Sequence, residues 1–163
     1  MRILQQSAML MLIMFATSKM FSQNNQQSSD TDAVINVMKS YKDAIQNLTT
    51  DGTFELFTAD AIIYEQGKVE GTYTDYINGH LGPELGHFKS FTFSDYEIDT
   101  NVNLPYAYTT ESYLYTIVLK GDDKKGTKER TVESKGVATS ILEKIEGEWK
   151  IIHSHTSFKK LKQ

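Results

Sequence analysis

Two histidines near the end of the chain are the residues whose spacing most directly suggests chemistry. Residues 147–157 read GEWKIIHSHTS, which has the alternation of a β-strand. In a regular strand, one face of this segment is mostly polar and the other carries Trp149, Ile151, His153 and His155. We therefore predict that both imidazoles point into the protein, where each needs a hydrogen-bond partner, a ligand or a metal ion.

A metal site is one interpretation of this pair. Two histidines at positions i and i+2 of a strand form half of a zinc or copper site that takes further ligands from elsewhere. His80, Glu84 and His87 have a spacing that would align them on one helical face, although a proline interrupts it. The alternative is that His153 and His155 bind hydroxyl groups or orient a ligand, and we assign no metal and no cofactor to the chain.

A second chemical possibility lies in the tyrosine-rich segment over residues 106–120. Glu111, Tyr113 and Tyr115 would line a cavity together if the odd-numbered face of this strand points inward, which the alternation leaves open. A carboxyl group in apolar surroundings is the base of isomerase-type chemistry, and tyrosine is one of its oxyanion donors. The other interpretation is that Glu111 is an exposed acid and that the tyrosines pack in the core.

These residues need a framework of helices followed by long strands. Apolar residues recur every three or four positions from Val34 to Leu48, which predicts a helix that ends near Gly52. A short strand over 61–65 and a short helix over 75–81 follow, and residues from Phe88 onwards are rich in strand formers. This order predicts an α+β fold in which the helices cover one face of a curved antiparallel sheet.

The first 22 residues have the pattern of a secretory signal peptide, with a basic start, an apolar run from Ala8 to Ala16 and a small residue at Ser22. The run is too short to span a bilayer, so we expect no stable membrane insertion after cleavage. Residues 23–29 are predicted to be a flexible polar leader, and residues 30–160 a single domain. The protein is therefore expected to be exported, to the periplasm or out of the cell.

Composition argues against several classes of function. Without residues 1–22 the chain keeps 15 Lys and Arg against 21 Asp and Glu, a formal net charge of −6. An acidic domain is a poor binder of nucleic acid, because phosphates require clustered Lys and Arg side chains. The chain contains no cysteine, which excludes disulfides and a catalytic thiol.

The order of the elements and three motifs resemble the nuclear transport factor 2-like superfamily, which includes ketosteroid isomerases and SnoaL-like polyketide cyclases. The motifs are YEQG at 64–67 followed by Gly71, YINGHLGPEL at 76–85 and WKIIHSHTS at 149–157. The resemblance covers about residues 30–158 and is nearest to secreted bacterial members of unknown function. It implies a cone, with the sheet wrapped around the N-terminal helices and a pocket at the wide end, and it implies a homodimer.

On this basis we predict a SnoaL-like protein that binds a small molecule in the cone and has no assignable reaction. The expected ligand-binding residues are Tyr64, His80, Glu111, Tyr113, Trp149, His153 and His155. One alternative is an isomerase-, cyclase- or dehydratase-like enzyme with a pocket acid or histidine as general base. Another is zinc or copper binding through His153 and His155. Whether the protein is an enzyme stays open.

Overall fold

The computed structural model describes residues 27–122 and 126–162, so the predicted signal peptide lies outside the described residues. Helix α1 covers residues 27–46, including 27–29, which the sequence assigned to the polar leader. Its predicted stripe is confirmed by the burial of Val34, Met38 and Ile45. The helix ends before Leu48, whose φ of 56° is left-handed, and therefore stops earlier than the predicted end near Gly52.

Six strands form one open sheet behind the helices. They are β1 (Phe57–Glu65), β2 (Lys68–Thr72), β3 (Phe88–Asn103), β4 (Tyr106–Leu119), β5 (Arg130–Ile145) and β6 (Glu148–Lys160). Their order across the sheet is β2-β1-β6-β5-β4-β3, and every neighbouring pair is antiparallel except β1 and β6, which run parallel. Register shifts interrupt β1–β2, β1–β6, β3–β4 and β5–β6, and such irregularities bend a sheet.

A helical segment between β2 and β3 consists of three joined pieces: α2 (Tyr73–Tyr76), a π-helical turn (Ile77–Leu81) and α3 (Gly82–His87). Thr72 and Asp75 form a capping box at its start. In the π turn the N–H of Gly82 donates to the carbonyl of Ile77. A Cβ at position 82 would lie 2.6 Å from that carbonyl oxygen, so this tight turn requires glycine.

The core lies between α1, the helical segment and the inner face of the sheet. The rings of Phe57 in β1 and Tyr73 in α2 are stacked with centroids 3.6 Å apart, and Tyr41 of α1 meets Phe57 edge-on at 5.1 Å. The α+β prediction is confirmed by this arrangement. Within the two described stretches, no helix has the length and apolar character needed to cross a membrane.

Candidate functional site

A cavity of about 590 Å³ opens between the helices and the inner face of the sheet. Eight of the residues in its wall are aromatic and come from α1, α2 and strands β3, β4 and β6; they are Tyr41, Tyr76, Phe88, Phe91, Phe93, Tyr113, Tyr115 and Phe158. The volume and the apolar wall are those of a site for a small organic ligand.

Gly136 of β5 makes room for one of these aromatic rings. A Cβ at this position would lie 2.2 Å from Cε2 of Tyr113 on the neighbouring strand, so any larger residue would collide with the ring. Tyr113 pairs with Gly136 in register and lies across it, with its side chain lining the cavity. The absence of a side chain at Gly136 therefore positions part of the cavity wall.

One end of the cavity is polar and is built around Glu65, the last residue of β1. The hydroxyl of Tyr76 donates a hydrogen bond of 2.7 Å to Oε2 of Glu65. Burial raises the pKa of Glu65, although the hydrogen bond from Tyr76 and the nearby imidazole of His80 act in the opposite direction. Glu65 is therefore a carboxyl group that holds its proton more tightly than an exposed glutamate does.

His80, in the π turn, faces three carboxyl groups. Its Nδ1 lies 3.1 Å from Oε1 of Glu70 and 3.9 Å from Oε2 of Glu65, and its Nε2 lies 3.4 Å from Oε1 of Glu84. Burial acts to raise the pKa of Glu70, but the hydrogen bond from Lys68 and the imidazole charge outweigh it, and the pKa is lowered. The pKa of Glu65 is therefore raised and that of Glu70 lowered, although both carboxyl groups lie beside the same imidazole. Such a difference between neighbouring groups is typical of sites that donate and accept protons.

The tight turn between β1 and β2 is held in place by Gln66. Its side-chain amide donates to the carbonyl of Phe158 at 2.9 Å and accepts from the N–H of the same residue at 2.9 Å. Gln66 and Gly67 have left-handed φ angles of 49° and 79°, which close the turn. This anchor to β6 fixes Glu65 and Lys68 at the rim of the cavity.

The structure places only two of the seven predicted ligand-binding residues in the cavity wall. His80 and Tyr113 line the cavity. Glu111 is buried on the same inward face of β4 as Tyr113, which resolves the open orientation of this strand, but it lies outside the cavity wall. Its carboxylate accepts a 2.6 Å hydrogen bond from Tyr96, and burial raises its pKa despite that bond.

The predicted inward face of His153 and His155 is wrong. Ile141 pairs with His153 but the next residue, Leu142, pairs with Ile151, so one extra residue of β6 is inserted between these positions. This bulge reverses the alternation: Trp149 and Ile151 are buried before it, and Ser154 is buried after it, while His155 is exposed.

Tyr64, His153 and His155 consequently form a group on the outer face of the sheet, away from the cavity. The ring of Tyr64 lies 5.3 Å from that of His153 and 6.2 Å from that of His155. Trp149 is buried but also lies outside the cavity wall, and its indole N–H donates to Asp30 of α1 at 3.1 Å. Among residues 27–122 and 126–162, no group of three His, Asp or Glu side chains is arranged to hold a metal ion.

The sequence placed Glu84 near His80 by spacing and included Glu65 only in the YEQG motif, and it gave no role to Glu70 or Tyr76. One signal for Glu65 was present: it shares a strand face with the buried residues Ala61 and Ile63. Nothing comparable pointed to Glu70, because strand β2 has only five residues and no clear alternation.

Residues 34–159 match the family described as the SnoaL-like domain. A proposed ketosteroid isomerase from Shewanella frigidimarina is 28% identical, with 75% of this chain and 92% of that chain covered at a TM-score of 0.62. A nuclear transport factor 2-like superfamily protein from Salmonella enterica is 17% identical over 83% of this chain and 94% of its own, with a TM-score of 0.65. A proposed scytalone dehydratase from Novosphingobium aromaticivorans is 15% identical over 85% and 89%, with a TM-score of 0.63.

No curated protein matches the chain. The last two structures share the fold at low identity, and the match over residues 34–159 spans most of the domain. The chain belongs to the SnoaL-like domain family, and its fold is similar to that of the nuclear transport factor 2-like superfamily protein.

Proposed function

We propose that the protein binds a small organic molecule in the cavity between its helices and its sheet. The observation that carries this proposal is the aromatic cavity of about 590 Å³ with one polar end. An apolar wall supplies binding energy, and a few convergent polar groups set the orientation of the ligand. Here those groups are Glu65, Glu70, His80 and Glu84, with Tyr76 behind them.

Two glycines of the helical segment allow a matched test. Gly79 lines the cavity and Gly86 does not, yet a Cβ at either position would meet no atom within 4 Å. Both backbones accept an ordinary residue, so Gly79→Leu and Gly86→Leu should fold equally well. Compounds from a library that raise the melting temperature of the wild type should lose affinity for Gly79→Leu and keep it for Gly86→Leu, as measured by calorimetry. Equal loss in both variants, or in neither, contradicts binding in this cavity.

An acid–base enzyme of the isomerase, cyclase or dehydratase kind is the second candidate function. It is favoured by Glu65, whose carboxyl group faces the cavity with a raised pKa and lies 3.9 Å from His80. The structures of a proposed ketosteroid isomerase and a proposed scytalone dehydratase share the fold.

A proton-transfer activity can be sought without knowing the substrate. Wild-type protein should catalyse exchange of deuterium at carbons next to the carbonyl group of cyclic ketones, as followed by NMR. Glu65→Gln should abolish this exchange, because glutamine has no ionisable proton. Exchange that survives in Glu65→Gln would assign the base elsewhere, and no exchange in the wild type for any ketone tried would favour a binding protein.

We also propose that the protein is a homodimer that pairs through the outer face of the sheet. Several large apolar residues are exposed on strands β4 and β5, on the side opposite the helices; they are Tyr106, Tyr108, Val137, Ile141 and Ile145. Tyr108 and Ile141 are directly paired, so these side chains form a patch. Light scattering should give the mass of two chains for the wild type and of one chain for Ile141→Glu.

Export is the remaining part of the proposal, and it rests on the signal-peptide pattern of residues 1–22. Bacteria that express the full chain should contain, in the periplasm or the medium, a protein lacking about the first 22 residues, as found by mass spectrometry. Retention of an uncleaved chain in the cytoplasm would contradict it.

A further inference from the structure

The polar end of the cavity is rich in carboxyl groups, whereas a site for an anion needs positively charged groups. Three carboxyl groups, those of Glu65, Glu70 and Glu84, lie 3.1 to 3.9 Å from the imidazole of His80. Among the lining residues, all within the described part of the chain, Lys68 is the single Lys or Arg. Its ammonium group is paired with Glu70 at 2.7 Å, and its side chain is 69% exposed. No unpaired Lys or Arg in the cavity wall is therefore available to a ligand carboxylate or phosphate.

The aromatic wall also favours positive charge. The rings of Phe91 and Tyr115 are stacked at 5.3 Å, and Phe158 meets Tyr115 edge-on at 5.9 Å. The faces of such rings are electronegative and attract cations within about 6 Å. One ring of the cavity wall already lies close to a cation of this chain, because Nζ of Lys42 is 5.7 Å from the centroid of Phe93. That ammonium group is neutralised by Asp43 at 2.5 Å and is not part of the cavity wall.

We propose that the ligand of this cavity is an organic cation, a planar apolar body that carries a protonated amine. This inference rests on the proposed small-molecule binding and names the class of molecule bound. The apolar body lies against the aromatic wall, and the ammonium group donates hydrogen bonds to Glu65 and Glu84 at the rim. Glu70, whose side chain is 4% exposed and already paired with Lys68, adds negative charge behind them.

Three compounds with one body and different polar groups provide the test: pyrenemethylamine, pyrenemethanol and pyrenecarboxylate, substituted at the same ring position. Fluorescence titration of the wild type should give an affinity for the amine about tenfold higher than for the alcohol, since hydrogen bonds to charged groups exceed neutral ones by about that factor. The carboxylate should bind most weakly of the three. In the double variant Glu65→Gln/Glu84→Gln the amine and the alcohol should bind alike.

A control variant separates local contacts from the net charge of the protein. Glu133 is exposed on β5, where the buried neighbour Ser134 faces inward, so Glu133→Gln removes one negative charge outside the cavity. It should retain the preference for the amine. Gly79→Leu should weaken all three compounds if they occupy the cavity.

Each other outcome overturns a defined part of the reasoning. Equal binding of amine and alcohol, tightest binding of the carboxylate, or an amine preference that survives in Glu65→Gln/Glu84→Gln refutes a cationic ligand but leaves binding in the cavity intact. Failure of all three compounds to bind the wild type refutes a cationic ligand with a planar body of this kind, and the small-molecule pocket is refuted when the library compounds also fail the test with Gly79→Leu.

Discussion

The contact between Gly136 and the ring of Tyr113 predicts a large effect of a single methyl group. In Gly136→Ala the new Cβ would lie 2.2 Å from Cε2 and 2.8 Å from Cζ of Tyr113. Both distances are far shorter than the separation of carbon atoms in contact, about 3.5 Å or more. Either the ring moves into the cavity or strands β4 and β5 separate locally.

The cost follows from the position of β5 in the sheet. This strand is paired on both sides, with β4 and β6, so its backbone cannot shift without breaking ladder hydrogen bonds. Overpacking of this kind costs about 1–3 kcal/mol, and we expect Gly136→Ala to lower the free energy of unfolding by about 2 kcal/mol. Strand propensity acts in the opposite direction, since alanine in a strand interior is favoured over glycine by about 0.5–1 kcal/mol.

Urea unfolding followed by the fluorescence of the buried Trp149 measures this change. In the double variant Gly136→Ala/Tyr113→Ala the collision is absent. The losses in free energy of unfolding of the two single variants should therefore add up to about 1–2 kcal/mol more than the loss of the double variant. Gly79→Ala is the control, because its Cβ meets no atom within 4 Å and it should not destabilise the protein. A ring displaced into the cavity should also lower the affinity of the compounds that bind there.

Two results would refute this reasoning. If the free energy of unfolding of Gly136→Ala lies within about 0.5 kcal/mol of that of the wild type, the ring does not lie against the strand as described. If the two substitutions are additive, their effects do not arise from the same contact.

Other substitutions test the remaining parts of the structure. Because the pKa of Glu111 is raised in the folded state, stability from its protonated form is present at low pH and lost as pH rises through that pKa. Glu111→Gln should therefore gain stability over the wild type with rising pH in urea titrations, and a constant difference would contradict the raised pKa. Asp30, which is 2% exposed, accepts from the indole of Trp149 and pairs with the ammonium group of Lys144. Asp30→Ala removes both interactions and should lower the free energy of unfolding by about 3 kcal/mol, and Asp30→Asn, which keeps an acceptor for the indole, by less; equal losses would be inconsistent with this role. His153→Ala and His155→Ala should leave the calorimetric affinity of cavity ligands unchanged, and a loss would return these residues to the site.

Much of the fold could be predicted from local patterns. The three- and four-residue spacing from Val34 predicted α1, and the run of β-branched and aromatic residues after Phe88 predicted the long strands. The capping box that starts the helical segment joins Thr72 and Asp75, which are three residues apart. These features depend on interactions between residues close in sequence, so one chain is enough to read them.

The site was less predictable, because it depends on two local departures from regular geometry. The bulge in β6 turns His153 and His155 to the outer face, and strand alternation cannot foresee an inserted residue. The π turn carries His80 within 3.9 Å of Glu65, although a proline seemed to end the helix there.

What the sequence determined by itself is the family and the α+β class. Tertiary structure alone decided that Glu65 and Glu70 meet the imidazole, since they come from β1 and β2, whereas the spacing of His80 and Glu84 was visible in the sequence. Helical and strand periodicities assign a residue to a face of its own element. The distance between side chains on different elements is set by packing and sheet register, to which no periodicity within one element refers.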